Sequence, residues 1–599
     1  MNRKISYFIF QVSGFRFQSV IFAKAGIHTI VTFLDSCFRR NDRDSSDFRF
    51  QLLSFILCSC VLMLLCTIMG GCEPFPGDEK FYEIKIAPEK LRQVETLELQ
   101  EAKTEEITRI DANEVPPKEL KLNLEQCRAL TLENNLDLKV QLISPAIATE
   151  RVDEEQAAFE SAFSTNLTFS TTDTPSASEL DVISGSQVNA LYTGLGVQVP
   201  LRTGGTVTFD LADNRIKTDA TGLTFNPYFV SDLSVSISQP LLRGAGNRAN
   251  THAIRIAEYE RQITDARTKL EVIRVIAAVD RVYWRLYAAR KELEVRKQQY
   301  DLAEALLEQA RRFVAAGDKA QVEVIRTEAG VAQRLEAIIV AENNLRNRER
   351  ELKQTLNKTG LEMQTPTVLV PATEPDPVRY ELERQRLVAI ALDNRMEMLE
   401  LELQIAEDIS SIDYMHNQAL PLVTMDYRYN INGLGDSRDD SFDLMFNKRF
   451  EDHRFGVQLL VPLGNEAAKS RLRQSFYQRR QRLATRDNRE ALIELEVLNA
   501  IDQVEANRQR ILASRQRSIL DGRLFEAEKR QFELGLRTST DVLQAQTNFA
   551  DAQSAEILAL AEYQIALVDL SYATGTLLGA AKVQWEPIVP QSNINGPSE

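Results

Sequence analysis

Hydrophobic positions change period along this chain, and the changes repeat. Residues 241–365 and 463–586 contain no proline and little glycine, and Ala, Leu, Glu, Arg and Gln dominate them, the composition of long helices. In the first block Leu286, Leu293, Tyr300, Leu307 and Val314 recur every seven positions. In the second the same register holds Val504, Ile511, Ser518, Phe525 and Phe532. A seven-residue repeat predicts helices that supercoil against their neighbours. The blocks align without a gap at an offset of 218: Gly246, Asn247 and Ala249 match Gly464, Asn465 and Ala467, while Gly317, Glu323, Val324 and Ile325 match Gly535, Asp541, Val542 and Leu543. Independent helices do not keep one length by chance, so the pattern predicts an internal duplication. Gly317 and Gly535 divide each block into a long helix (near 251–315 and 466–533) and a return helix (near 321–357 and 538–573). Each long helix spans about 100 Å at 1.5 Å per residue.

The duplication extends upstream. Ala129, Leu132, Asn134 and Leu138 parallel Ala389, Leu392, Asn394 and Met398, opening helices expected near 123–160 and 380–417. At about half the long helices' length, each could stack end to end with a return helix. Between first and long helices the period falls to two. Phe163, Leu167 and Phe169 alternate with Ser164, Asn166 and Thr168; Leu195, Val197, Val199 and Val207, Phe209, Leu211 flank the turn 202–205; Leu233, Val235 and Ile237 alternate with serines. In the second repeat Val423, Met425, Tyr427, Tyr429 and then Phe455, Val457, Leu459, Val461 do the same. Such strands fit a half-buried soluble sheet or a membrane barrel. Their length, about ten residues, crosses a tilted bilayer path. One chain has too few strands for a wide barrel, so the membrane reading requires an oligomer that closes the sheet.

Composition narrows the class. A net charge of −15 over 599 residues lacks the basic footprint of a nucleic-acid binder. Five of six cysteines lie at or before Cys72, leaving Cys72 and Cys127 downstream of a leader: no disulfide framework and no thiolate metal cluster. Residues 1–50 lack periodicity and look like translated intergenic repeat, as from a start codon placed too far upstream. Residues 51–71 read as a secretory signal. It ends at Met69, Gly70, Gly71 and Cys72, which resembles a lipobox with Met69 where leucine is usual. Cleavage there predicts a covalent N-terminal lipid at Cys72 and a mature net charge of −19. Residues 72–120 read as a lipidated linker, 121–365 and 366–586 as the repeats, and 587–599 as a tail. There is no phosphate loop or nucleophile elbow, and His252, His416 and His453 have no ligand spacing. The chain reads as no enzyme, with no metal site and no cofactor beyond the lipid.

Two repeats of helix, strands, long helix, glycine turn and return helix resemble the TolC-like outer-membrane efflux family, over about residues 121–586. The segments 238–247, from Ser238 to Asn247, and 532–543, from Phe532 to Leu543, carry the resemblance. It implies a mainly α fold with transmembrane β. As a homotrimer, its two tandem repeats form an outer-membrane β-barrel continuous with a long periplasmic coiled-coil tunnel. The implied function is passive export of small compounds or polypeptides through an exit duct in outer-membrane lipid. Its implied partners are a periplasmic adaptor and an inner-membrane pump of RND or ABC type, in a Gram-negative-type envelope. The lipobox resembles the family's lipoprotein branch. A coiled-coil adaptor, with one helical hairpin beside a lipoyl-like domain, and a structural envelope lipoprotein are the alternatives. The first repeat departs from the family in carrying four strand candidates where two are usual, so the hairpin near 193–213 either enlarges the barrel or projects from it.

The turns at Gly317 and Gly535 lie a tunnel length from the strands and are expected to be adaptor-docking tips. By resemblance, Asp541 rings the periplasmic aperture, with Gln544 where a second acidic residue is often found. Arg537 is expected to bridge to Glu323, the repeat counterpart of Asp541, with Phe532 packed beside them.

Overall fold

The computed structural model describes residues 119–175 and 185–586. The leader, signal, Cys72, most of the linker and the tail lie outside the described residues. The chain divides after Ala112, and every described element belongs to the second unit, Asn113–Glu599.

The first repeat opens with β1 (Glu119–Leu122), three short helices, α1 (Leu124–Asn134), α2 (Leu136–Gln141) and α3 (Ser144–Ala157), and four strands, β2 (Ala162–Asp173), β3 (Gln187–Pro200), β4 (Thr206–Thr218) and β5 (Tyr228–Pro240). A single turn, α4 (Asn247–Asn250), leads into the long helix α5 (His252–Ala315), and α6 (Val322–Leu356) returns. The second repeat runs β6 (Val368–Pro371), α7 (Arg384–Asn394), α8 (Met396–Gln418), β7 (Leu422–Gly435), α9 (Arg438–Phe446), β8 (Glu451–Leu460), α10 (Glu466–Glu533), α11 (Ser539–Ala573) and the turn α12 (Leu577–Ala580).

The expected first helices are broken, and at equivalent places. Asn135 and Arg395 both take extended backbone, with ψ 126° and 130°. Asn135 Oδ1 accepts the Leu138 amide at 2.9 Å and so caps α2, while its Nδ2 donates to the Thr355 carbonyl at 3.3 Å. Arg395, buried, is held by Glu397 and Glu496. Each break receives the end of a return helix: Asn357 Nδ2 donates to the Asn134 carbonyl at 3.1 Å, and Gly575 lies against the Asn394 backbone. Each return helix thus ends against the break in a first helix.

The α5–α6 and α10–α11 hairpins pack along their lengths; α11 also packs on α5, and α8 packs against both α5 and α10. The heptad seam is the contact surface, with Leu286, Val504, Ile511, Phe525 and Phe532 all buried. Each such side chain contributes about 1.5–3 kcal/mol relative to exposure. A short parallel pair, β1–β6, was not anticipated; it clasps the starts of the two repeats, and the Tyr283 hydroxyl donates to the Leu122 carbonyl at 3.2 Å while accepting the Thr373 amide at 2.8 Å.

Beside this clasp the Asp280 carboxylate, fully buried, takes Arg128 Nε and Nη2 at 2.8 and 2.7 Å. Cys127, also buried, has its thiol pushed up to about 12 by burial and by Asp280. A thiol with so high a pKa and no access is inert. Cys127 in the native protein is therefore expected to resist a thiol-specific reagent at pH 8 and to react only once the chain unfolds; rapid native labelling at Cys127 would contradict this packing.

All six long strands join one antiparallel sheet in the order β2-β3-β4-β5-β7-β8. Register keeps like with like. One pairing row is Phe163, Val197, Phe209, Val235, Tyr429 and His453; the next is Ser164, Gly196, Asp210, Ser234, Asn430 and Asp452. One face is thus largely apolar across the sheet and the other is small and polar. Helix α9, unanticipated, covers one end of the first face: Ser441 Oγ accepts the Ser231 amide at 3.0 Å, Arg438 pairs with Asp213, and a Cβ on Gly433 would meet the Ser441 carbonyl oxygen at 2.0 Å. Among the described residues no helix is long and apolar enough to cross a membrane.

Candidate functional site

The tips are where the two repeats differ chemically. Each long helix ends in the same turn. Gly317 donates to the Val314 carbonyl and Asp318 to that of Phe313; Gly535 donates to Phe532 and Leu536 to Gln531. This is the paired hydrogen-bond pattern of a Schellman cap, which needs a left-handed residue, and Gly317 and Gly535 have φ of 81° and 79°.

Beyond the turn the repeats diverge. At the start of α11, Asp541 Oδ2 accepts from the Thr538 amide at 3.1 Å and from its hydroxyl at 2.8 Å, a capping box. These bonds hold the Asp541 carboxyl below its ordinary range, helped by Arg537. The first repeat has Ala320 where the second has Thr538, so Glu323 lacks a local hydroxyl. Its Oε2 instead reaches across and accepts the buried Ser539 amide of α11 at 3.0 Å, while Oε1 pairs with Arg326 at 2.9 Å. Burial pushes the Glu323 carboxyl up, but the Ser539 bond, Arg326 and Lys319 outweigh it and leave it lowered. One return helix therefore caps the other.

The expected Arg537–Glu323 link is corrected by this geometry. Arg537 Nε lies 3.2 Å from Glu528 and donates to Gln531 at 3.0 Å, both on its own hairpin. Lys319, its counterpart at the 218-residue offset, makes the crossing. The Lys319 ammonium sits 3.3 Å from the Phe532 ring centroid and 3.4 Å from the carbonyls of both Phe532 and Arg537. Phe532 is fully buried and meets Phe313 edge-on at 5.9 Å. Sequence reasoning missed Lys319 and Ser539, although the offset that pairs Glu323 with Asp541 also pairs Lys319 with Arg537. Gln544 is exposed and donates to Asn548 at 3.1 Å, away from the Glu323 cluster. Two exposed leucines, Leu534 and Leu536, flank Gly535, and Val322 and Ile325 are exposed on the other hairpin. Among the described residues no cluster of side chains could hold a metal ion.

Comparison with known proteins reaches the same architecture. The family described as outer membrane efflux protein matches residues 206–358 and 387–576, more than half the chain and parts of both repeats. The outer membrane protein TolC of Vibrio cholerae is 25% identical over 311 residues, covering 51% of this chain and 68% of that protein. Among solved structures, the CmeC outer membrane channel of Campylobacter jejuni superposes with a TM-score of 0.55 at 13% identity, covering 76% of this chain and 86% of its own. The open state of the MtrE outer membrane channel of Neisseria gonorrhoeae gives 0.54 at 14%, covering 76% and 89%. At these identities the superpositions speak for the fold. With a duplicated unit of strands and coiled hairpins matched in both copies, the chain belongs to the outer membrane efflux protein family, and its work is that of a channel rather than an enzyme.

Proposed function

We propose that three copies form the exit duct of a tripartite efflux or type I secretion system, the sheet in the outer membrane and the helices in the periplasm. The observation that carries this reading is continuity. β8 passes within a few residues into α10, and β5 reaches α5 through the single turn α4, so the polar sheet face and the helical hairpins belong to one path. Strands of 10 to 14 residues are long enough to cross a bilayer, and Phe163, Leu167, Phe169, Phe455, Val457 and Leu459 lie exposed on the apolar face, where lipid would cover them. The chain carries no phosphate-binding loop, so energy comes from an inner-membrane pump of RND or ABC type, reached through a periplasmic adaptor at the tips.

At the axis, three Asp541 carboxylates, each held ionised by its capping box, would form a cation-selective ring. Purified protein is expected to run as a stable trimer and to conduct ions in planar bilayers. Asp541→Asn should weaken block by multivalent cations. A folded trimer that conducts nothing would overturn the channel reading; unchanged block would remove Asp541 alone from the aperture.

A lipid at Cys72 would add a second hold on the membrane, since a small-residue cleavage site ends the apolar run before it. Metabolic palmitate should label the native chain and leave Cys72→Ser unlabelled. Equal labelling would place the anchor elsewhere.

A further inference from the structure

The β3–β4 hairpin sits inside the sheet, between β2 and β5. It pairs with itself from Val188↔Thr218 to Pro200↔Thr206, with β2 along the whole of that strand, and with β5 from Thr206↔Ser238 to Ile216↔Tyr228. Its turn is tied down at the helical end: Leu201 and Gly205 close it with a 2.8 Å bond, Gly246 donates to the Thr203 carbonyl at 3.0 Å, and Thr203 Oγ1 donates to Gln239 at 2.9 Å. Gly204, at φ 90°, lies so close to Gly244 that a Cβ would meet that carbonyl oxygen at 2.1 Å. A projecting ornament would need none of this.

Without the hairpin, β2 and β5 would still run antiparallel, so it reads as two strands spliced into a four-stranded sheet. The polar faces of both added strands join a concavity of about 540 Å³, whose lining includes Asn166, Gly196, Asp210, Asp232 and Arg428. The hairpin therefore curves with the sheet. Among the described residues β2 and β8 each pair on one side only. β2 follows the first helices and runs away from them, whereas β8 runs back into α10. The β8 of one copy can therefore meet the β2 of the next antiparallel, a head-to-tail contact that a ring closes.

We propose that this hairpin is a widening insert that makes the outer-membrane barrel an eighteen-stranded one, with a bore suited to bulky solutes or polypeptides. The proposal rests on the three-copy channel read above. With strands about 4.8 Å apart and tilted about 40°, eighteen close at about 36 Å between backbones and twelve at about 24 Å. The bore's cross-section thus grows about twofold. Small residues keep it clear: Ser164, Gly194, Gly196, Ala212, Ser234 and Ser236 all lie on the polar face.

The constriction at the tips lies in series with the barrel, so total conductance does not report this width. Two measurements on the full-length trimer do. End-on electron-microscopy images should show eighteen strands in the ring. Graded poly(ethylene glycol) added from the outer side should enter at about 1.5 times the diameter admitted by a variant lacking residues 187–218. A ring of twelve strands with the hairpin outside it, or equal exclusion limits, overturns the insert and leaves the channel reading standing. If the variant fails to assemble, the strand count of the native ring decides. A native protein that neither trimerises nor conducts takes down both readings.

Discussion

Cutting two of the contacts that cross between repeats at the tips, with Lys319→Ala and Glu323→Ala, is expected to raise single-channel conductance several-fold. Lys319 gives up a cation–π contact at 3.3 Å, worth about 0.5–2 kcal/mol, and Glu323 gives up the bond to the Ser539 amide, a cap worth about 1 kcal/mol. Together, about 2 kcal/mol per protomer shifts a closed–open equilibrium by roughly thirty-fold. Arg537→Ser should do much less, because its partners Glu528 and Gln531 lie on its own hairpin and the arginine side chain is half exposed. Acid should imitate the double variant. The Glu323 carboxyl, which makes the crossing bond to Ser539, is held below its ordinary range, so its stabilisation is present above the ordinary carboxylate range and is lost as pH falls through the lowered value. Conductance of the native trimer should rise on that descent and change less in the double variant. If Arg537→Ser opens the channel and the double variant does not, the crossing contacts are not the latch.

Gly535→Trp is expected to abolish pump-dependent export while trimers still assemble. At φ 79° any side chain is strained by about 1–2 kcal/mol, enough to distort one turn and too little to unfold helices of 68 and 35 residues. A Cβ at Gly535 would meet nothing within 4 Å, so the damage falls on whatever approaches from outside. Leu534 and Leu536, 73% and 72% exposed, offer such a partner an apolar grip beside the glycine. Gly317→Trp should act similarly but more weakly, since Ala316 and Asp318 replace those leucines. Export unchanged in Gly535→Trp, measured as retained drug resistance or secreted cargo, would separate this turn from docking.

The tip shows how a site can be half legible. The positions Gly317, Gly535, Glu323, Asp541 and Phe532 stand out because the duplication sets them in register, and the structure gathers Glu323 and Phe532 beside the α11 terminus. What cannot be read is who bonds to whom. Whether Glu323 satisfies its own helix or a neighbour's depends on one local residue, Ala320 in place of threonine, and on a partner amide 216 residues away. Arg537 and Lys319 carry like charge at equivalent positions, and only the packing of Phe532 under Lys319 chooses between them.

Long helices, alternating strands and glycine turns were determined by the sequence alone, because each is enforced over a few residues by period, composition or a φ that only glycine adopts cheaply. The duplication followed from the same local signals kept at constant spacing. Tertiary structure alone decided the remainder. The first helices break at Asn135 and Arg395 because return helices end there, 220 residues away in the Asn135–Thr355 bond. The β3–β4 hairpin joins the sheet because partner strands wait on both sides of it, and a strand's alternation says which face is apolar but not which strands will be its neighbours.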